Sequence, residues 1–296
     1  LNSVKLSDEA TAIRLDFEAF LQSHVEKYYN QKDILGDVLR YALAGQGKRI
    51  RPLMTLLACH DLGHDYRHGF NAAIALEWMH TYSLIHDDLP CMDDDDSRRG
   101  RPTLHRQFND GYAVLAGDAL LTDSFECLTK DPSSTISDGQ KLAMIRELAV
   151  ASGSRGMVWG QSQDLYWTAR RGGTRDLVEA IHQRKTGDLL GAACAIGAII
   201  ARNEPTLVQL LREIGRKVGL AYQILDDLLD NDSGIGKTSG KDHRHQKLTV
   251  LVFLSEQQAR LRARDLTEQV ITSLESINLG RGLLSQLISV LLRRKN

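Results

Sequence analysis

Residues 203–230 read NEPTLVQLLREIGRKVGLAYQILDDLLD. Leu207, Leu210, Leu211, Ile214, Val218, Ala221 and Leu225 recur at steps of three and four, the spacing that gathers apolar side chains on one face of an α-helix. Asn203 stands ahead of the stripe as an N-cap candidate, and Pro205 falls near the first turn, where its missing N–H is tolerated. Further on, Gln223, Asp226, Asp227 and Asp230 fall within about a 100° sector, largely opposite the stripe. One helix thus carries a face to bury and an acidic face.

Similar stripes run through about residues 7–29, 69–88, 111–129, 138–151, 175–201, 248–274 and 279–293, and the chain holds only five prolines. Breaks fall at Gly45-Gln46-Gly47, 89–109, Asp131-Pro132-Ser133-Ser134, Gly172-Gly173 and 231–247. No break is long or biased enough for a flexible linker, and no repeat of solenoid length occurs. The expectation is an all-α protein, one domain over residues 1–296, with about ten helices.

Composition narrows the classes. At 42% hydrophobic and 25% charged the chain is globular, not disordered. Its 37 Lys and Arg nearly cancel 38 Asp and Glu, which leaves no basic surplus for nucleic acid or anionic lipid. The longest uncharged run, Leu189 to Ala201, falls short of the roughly 20 residues a bilayer crossing needs. Cys59, Cys91, Cys127 and Cys194 form no CxxC pair and fit a reducing compartment. Leu1-Asn2-Ser3-Val4-Lys5 has no signal-peptide core and lacks Met, which suggests a trimmed start. A cytoplasmic protein with neither membrane nor nucleic-acid partner is expected.

The near-zero net charge hides clumps. Leu84-Ile85-His86-Asp87-Asp88-Leu89-Pro90-Cys91-Met92-Asp93-Asp94-Asp95-Asp96-Ser97-Arg98-Arg99-Gly100 ends an apolar helix in a run of carboxylates. Pro90 disfavours continuing that helix, and negative charge at a helix C-terminus opposes the dipole. Such a run calls for a cation, and hard oxygen ligands suit Mg²⁺, which takes a few carboxylates plus phosphate oxygens and water. Arg98 and Arg99 follow directly, and guanidinium forks bind phosphate. Either acidic cluster alone would read as a solvated face; two in one helical domain, with bases nearby, favour a shared metal–phosphate site.

Gly47-Lys48-Arg49-Ile50-Arg51-Pro52 begins another helix with three bases, an arrangement suited to an anion, with a glycine that lets backbone approach it. Lys185-Thr186 lies inside the 175–201 stripe, and Lys237, Lys241 and Lys247 follow the second acidic cluster. Gly160-Gln161 and Asp164 place polar groups in an otherwise apolar helix; a buried polar network and a site role both fit them.

Taken in order, these segments resemble the trans (head-to-tail) isoprenyl diphosphate synthases, and among them the bacterial farnesyl diphosphate synthases. Asp87-Asp88-x4-Asp93 with Arg98-Arg99-Gly100 resembles the first aspartate motif and Asp226-Asp227-x2-Asp230 the second. Between and around them come Gly47-Lys48-Arg49-x-Arg51-Pro52, His80, Gly160-Gln161-x2-Asp164, Lys185-Thr186-Gly187, Tyr222-Gln223, Lys237 and Lys247, over about residues 40–250. Lys247-Leu248-Thr249 departs from the family by leading into Val250-Leu251 instead of an aromatic and proline.

The resemblance implies a helical bundle around a deep central cavity and a homodimer. It implies about three Mg²⁺ ions bridging the diphosphate of an allylic substrate, dimethylallyl or geranyl diphosphate. Asp87 and Asp93 would hold two ions and Asp226 the third, with Asp88, Asp227 and Asp230 as further ligands or holders of bound water. Arg98, Lys185, Lys237 and Lys247 would bind the same diphosphate. The Lys185 carbonyl, Thr186 hydroxyl and Gln223 amide would flank a carbocation, stabilised as fixed positive charge takes up the departing pyrophosphate. Gly47, Lys48, Arg51, His80 and Arg99 would bind isopentenyl diphosphate without metal.

Product length follows from geometry. Tyr82 lies five residues before Asp87, roughly 7.5 Å down the helix axis, and Ser83 beside it is small. The family pairs an aromatic there and the four-residue motif gap with a C15 product. Geranyl and geranylgeranyl diphosphate synthases are the nearest rivals. A terpene cyclase would not need the second set of bases, and a non-catalytic regulatory homologue would usually have lost motif aspartates. A His-Asp phosphohydrolase, suggested by His60-Asp61 and His86-Asp87, fits hard-cation ligation less well.

Overall fold

The computed structural model describes residues 6–45, 47–130, 135–168, 170, 172–233 and 248–293. Thirteen α-helices run through them: α1 (Asp8–Tyr28), α2 (Ile34–Leu43), α3 (Ile50–Asp61), α4 (Phe70–Asp87), α5 (Leu104–Gln107), α6 (Asp110–Thr129), α7 (Asp138–Ser152), α8 (Met157–Thr168), α9 (Arg175–His182), α10 (Asp188–Ala201), α11 (Pro205–Ser233), α12 (Glu256–Ser276) and α13 (Leu283–Leu292). The all-α expectation holds.

Apolar pattern decides which helices lie inside. α10 is apolar on every side, and Leu189 to Ile200 is buried without interruption, as expected of a helix with no solvent face. It packs against α3, α7 and α11. The opening stripe of α11 buries Leu207, Leu211, Ile214, Val218 and Ala221. α4 lies between α3 and α6 and buries ten of its residues, Trp78 and Met79 among them. Caps set several starts: Asp33, Asn109 and Thr174 each accept a backbone N–H of the helix they precede. Ser137 and Ser255 do so within capping boxes.

Three local readings are corrected. Asn203 does not cap α11. It sits at φ 49°, and its N–H bonds to Ala198 O at 3.0 Å, closing α10; asparagine is among the few residues that accept this left-handed geometry. The 175–201 stripe is not one helix, because Gln183–Gly187 forms a π-helical turn between α9 and α10. The break expected from residue 231 begins later, since α11 continues to Ser233.

The 89–109 break contains a two-residue hairpin, Ser97–Arg98 against Arg101–Pro102. Arg99 and Gly100, at φ 54° and 77°, make its turn, the double left-handed geometry of a tight β-hairpin.

Candidate active site

A cavity of about 2350 Å³ opens among α1, α3, α4, α8, α10 and α11. Asp87 enters it from α4, and Asp226 and Asp230 from α11, so the two acidic clusters meet across one space.

The first cluster is shaped by the stop at Pro90. Beyond it the chain folds back on the helix end: the Asp93 N–H bonds to Asp87 O at 2.9 Å, Asp94 to Leu89 O at 3.1 Å and Asp95 to Asp88 O at 3.2 Å. Carbonyls that a helix terminus leaves unpaired are thereby satisfied, and Asp93 is brought back beside Asp87. Asp88 is buried and takes a fork from Arg98, whose Nε lies 2.7 and 2.8 Å from its two oxygens. Burial raises the Asp87 carboxyl to about 6, with Asp93 and Asp88 adding repulsion that Lys185 and Arg98 only partly relieve.

On α11, Gln223, Asp226 and Asp230 line the cavity, but Asp227, which the spacing grouped with them, does not. Asp227 points to the scaffold: its Oδ2 accepts the Val250 N–H at 3.0 Å and lies 3.7 Å from His182 Nε2. Burial pushes Asp227 up to about 7, with repulsion from Asp226 and Asp230. Burial also drives His182 down to about 4, so this contact joins a neutral imidazole to the carboxyl.

Between the clusters lies the π turn. π turns recur at functional sites because the extra residue re-aims side chains and carbonyls. Lys185 and Thr186 sit on it, Lys185 Nζ 2.6 Å from Asp164 Oδ2 and Thr186 Oγ1 2.6 Å from Gln223 Oε1. Burial disfavours the Lys185 ammonium, yet Asp164 and Asp87 hold its pKa above the usual value. A Cβ on Gly160 would stand 2.3 Å from Lys185 N, so glycine is what lets α8 abut the turn. Asp164 is thus part of a polar network that fixes a cavity lysine.

A second group of bases lies at the other side of the cavity, with Gly47, Lys48, Arg51, His80 and Arg99 all on its wall. A Cβ on Gly47 would fall 3.0 Å from Arg99 Nη1. Burial lowers Arg51 to about 10, and Nε is buried with no hydrogen-bond partner among the described residues. His80 is held well below its ordinary value by burial and by Arg51, Arg99, Arg98 and Arg49, and is neutral. Tyr82 is buried on the cavity wall with its ring edge-on to His86 at 5.7 Å, and the Ser83 hydroxyl donates to His80 O at 2.9 Å. Lys237, Lys241 and Lys247 lie outside the described residues.

Among the described residues no three His, Cys, Asp or Glu side chains converge to hold an ion by themselves. The donor set nonetheless suits Mg²⁺, which completes its octahedron with water and phosphate oxygens. Asp87, Asp226 and Asp230 offer hard carboxylate oxygens to one cavity, and burial at Asp87 disfavours its charge until a cation offsets it. Sequence reading did not single out Glu77, His182 or the Val250 N–H. A lone acid in the apolar stretch of α4 was the available signal for Glu77; nothing in sequence marks the other two.

The polyprenyl synthetase family model matches residues 32–278. A farnesyl diphosphate synthase of Micrococcus luteus is 38% identical over 292 residues, covering 98% of this chain and 99% of the relative. A chloroplastic geranylgeranyl pyrophosphate synthase of Arabidopsis thaliana is 42% identical, covering 80% of this chain and 68% of the relative. A geranyltransferase of Helicobacter pylori, solved with magnesium and isoprenyl diphosphate, superposes with TM-score 0.78 at 29% identity, over 98% of each chain. The chain belongs to the polyprenyl synthetase family. It is a prenyltransferase, an enzyme of prenyl chain elongation, in a family that depends on magnesium. No helix among the described residues is long and apolar enough to cross a membrane.

Proposed function

We propose that this enzyme condenses isopentenyl diphosphate with dimethylallyl and then geranyl diphosphate, releasing pyrophosphate and ending at the C15 product, farnesyl diphosphate. The observation that carries this reading is the division of one cavity into two anion sites of different kind. Facing carboxylates with Lys185 suit a metal-bound diphosphate, and Gly47, Lys48, Arg51 and Arg99 suit a diphosphate without metal.

Asp87, Asp93, Asp226 and Asp230 would hold about three Mg²⁺ ions, which when bound neutralise charge on the departing pyrophosphate. Asp88 acts through Arg98, and Asp227 through the Val250 segment, as their contacts suggest. Arg98 and Lys185 bind the allylic diphosphate, with Lys237 and Lys247 assigned the same role. Ionisation breaks the allylic C–O bond, the isopentenyl double bond supplies the electrons of the new C–C bond, and loss of one proton to pyrophosphate restores a double bond. Thr186 and Gln223, bonded to each other, turn oxygen dipoles toward the cationic carbon, and the Lys185 carbonyl joins them; no side-chain base is required. Tyr82 is the floor that ends growth and Ser83 the space beside it. The whole of residues 1–296 acts as one domain, in a cytoplasmic homodimer.

Incubation with labelled isopentenyl diphosphate and either allylic acceptor, with and without Mg²⁺, tests the reading. A Mg²⁺-dependent C15 product is expected. A dominant C20 product would move the assignment to a geranylgeranyl diphosphate synthase, and absence of any condensation product would overturn it.

A further inference from the structure

The bases in Lys48-Arg49-Ile50-Arg51 have different surroundings. Arg49 is buried and turned into the protein: its Nη1 bonds to the buried carboxylate of Glu77 on α4, its Nε lies 3.1 Å from Glu18 Oε1 on α1, and its Nη2 donates to Gly45 O at 3.0 Å. Its guanidinium is therefore spent on two helices and a loop. Both arginines line the cavity, but among the described residues Arg51 makes no such fork and its Nε is orphaned.

Arg49 also occupies a costly backbone position. It is the residue before α3, at φ 48°, in the left-handed region that a non-glycine side chain adopts only at a cost. Such geometry persists only when the surroundings over-determine it, and here the fork to Glu18, Glu77 and Gly45 does so. The same turn sets the direction in which Gly47, Lys48 and Arg51 leave the loop. A Cβ on Gly47 would stand 2.8 Å from Arg49 Nη1, so the guanidinium is also one wall of that loop.

Glu77 has a second relation to this corner. Burial lowers both Arg51 and Arg99, and Glu77 is the strongest influence opposing it in each. Glu77 on α4 and Asp88, which caps its C-terminus, are eleven residues apart, about 20° in azimuth at 100° per residue. Each is buried and each holds an arginine, Arg49 or Arg98.

We infer that Arg49 and Glu77 form a charge-neutral positioning pair that holds the isopentenyl diphosphate subsite in its binding shape before the ligand arrives. Neither side chain is assigned to the diphosphate itself. The inference rests on the two-site reading above. Arriving diphosphate then meets Lys48, Arg51 and Arg99 already aimed, which avoids an ordering cost at binding.

The test is the paired variant Arg49→Met with Glu77→Leu, which leaves the formal charge of the corner unchanged and removes the fork together with the carboxylate that faces Arg51 and Arg99. Replacing a whole buried ion pair by apolar side chains is commonly neutral or stabilising for a fold, so the variant remains assayable. The KM for isopentenyl diphosphate should rise about tenfold or more, the scale of one lost charge-assisted contact. The KM for geranyl diphosphate should stay within about twofold, because neither Arg49 nor Glu77 bonds to a residue proposed for that site. If this variant does not fold, Arg49→Gln with Glu77→Gln, also neutral overall and closer in shape, gives the same readout with a smaller rise.

An unchanged KM for isopentenyl diphosphate in a folded variant overturns the inference. Equal rises for both substrates do the same, since they indicate general loosening. Wild-type enzyme is assayed in parallel: if it fails to condense the two substrates, the proposed function fails. If it condenses them and only the variant misses the expected split, the positioning pair alone is wrong.

Discussion

The two aspartate clusters share an internal division of labour but reach it from different backbones. At the end of α4 the chain must stop, and a tight loop folds back so that Asp93 returns to Asp87. On α11 the helix runs on to Ser233, and the four-residue step of the helix brings Asp226 and Asp230 to one face. In both, the second aspartate of the pair is directed to the scaffold. Asp88 holds Arg98, and Asp227 holds the Val250 N–H beside His182. Adjacent helical residues differ by about 100° in direction, so a paired aspartate supplies one carboxylate for the cavity and one for the wall.

Asparagine substitutions break or sharpen that comparison most directly, because asparagine keeps an acceptor and removes the charge. Asp87→Asn and Asp226→Asn should each lower kcat/KM by about 10³-fold or more, as several kcal/mol of charge stabilisation is lost. Asp227→Asn should stay within about tenfold of wild type, since its Oδ1 still accepts the Val250 N–H, a bond worth about 1 kcal/mol. Steady-state kinetics with saturating Mg²⁺ measures all three. Equal losses at Asp226 and Asp227 would erase the distinction.

Asp88 should fall between. Asp88→Ala frees Arg98 and leaves it without its buried partner, a loss of about 1.5–3 kcal/mol or roughly ten- to hundredfold in kcat/KM. The KM for geranyl diphosphate should carry more of that loss than the KM for isopentenyl diphosphate. A symmetric effect on both would assign Asp88 to the cavity as a whole. Product length is a subtler readout, changing the distribution more than the rate. Tyr82→Ala should lengthen products toward C20 and Ser83→Phe shorten them toward C10, by radiolabelled chain-length separation; unchanged products in both would remove the floor.

Much of this was legible because it depends on periodicity and on letters. The stripe of α11, the all-round apolar α10 and both acidic clusters follow from spacing and composition. What was not legible depends on contacts between distant segments. The π turn at Gln183–Gly187 exists where Gly160 lets α8 press on it, a pairing no local window contains. Asn203 carries the letter of an N-cap but closes the preceding helix, because the α10–α11 junction turns through a left-handed residue. Arg98 and Arg99 are adjacent bases that only the resemblance separated; the hairpin is what sends Arg98 to Asp88 and leaves Arg99 beside Gly47.

The two clusters can also be told apart without substrate. An exposed aspartate in the unfolded chain titrates near 3.9, whereas folding raises Asp87 to about 6 and Asp227 to about 7. Between the unfolded and folded values the folded protein keeps protons that the unfolded chain has lost. More protons on the folded side means that stability falls as pH rises. For Asp87 the fall should run from about pH 4 to about 6, and for Asp227 it should continue to about 7. Other groups titrate in this range, so the measurement is a difference: urea unfolding in EDTA of wild type against Asp87→Asn and Asp227→Asn. Each variant should gain stability relative to wild type as pH rises, with the gain levelling near pH 6 in one and near 7 in the other. A difference that does not change with pH would mean that the carboxyl is solvated in the folded protein. Mg²⁺ with pyrophosphate should then reverse the trend at Asp87, where a cation makes the charged form the favoured one, and leave more of it at Asp227, whose partners are Val250 and His182.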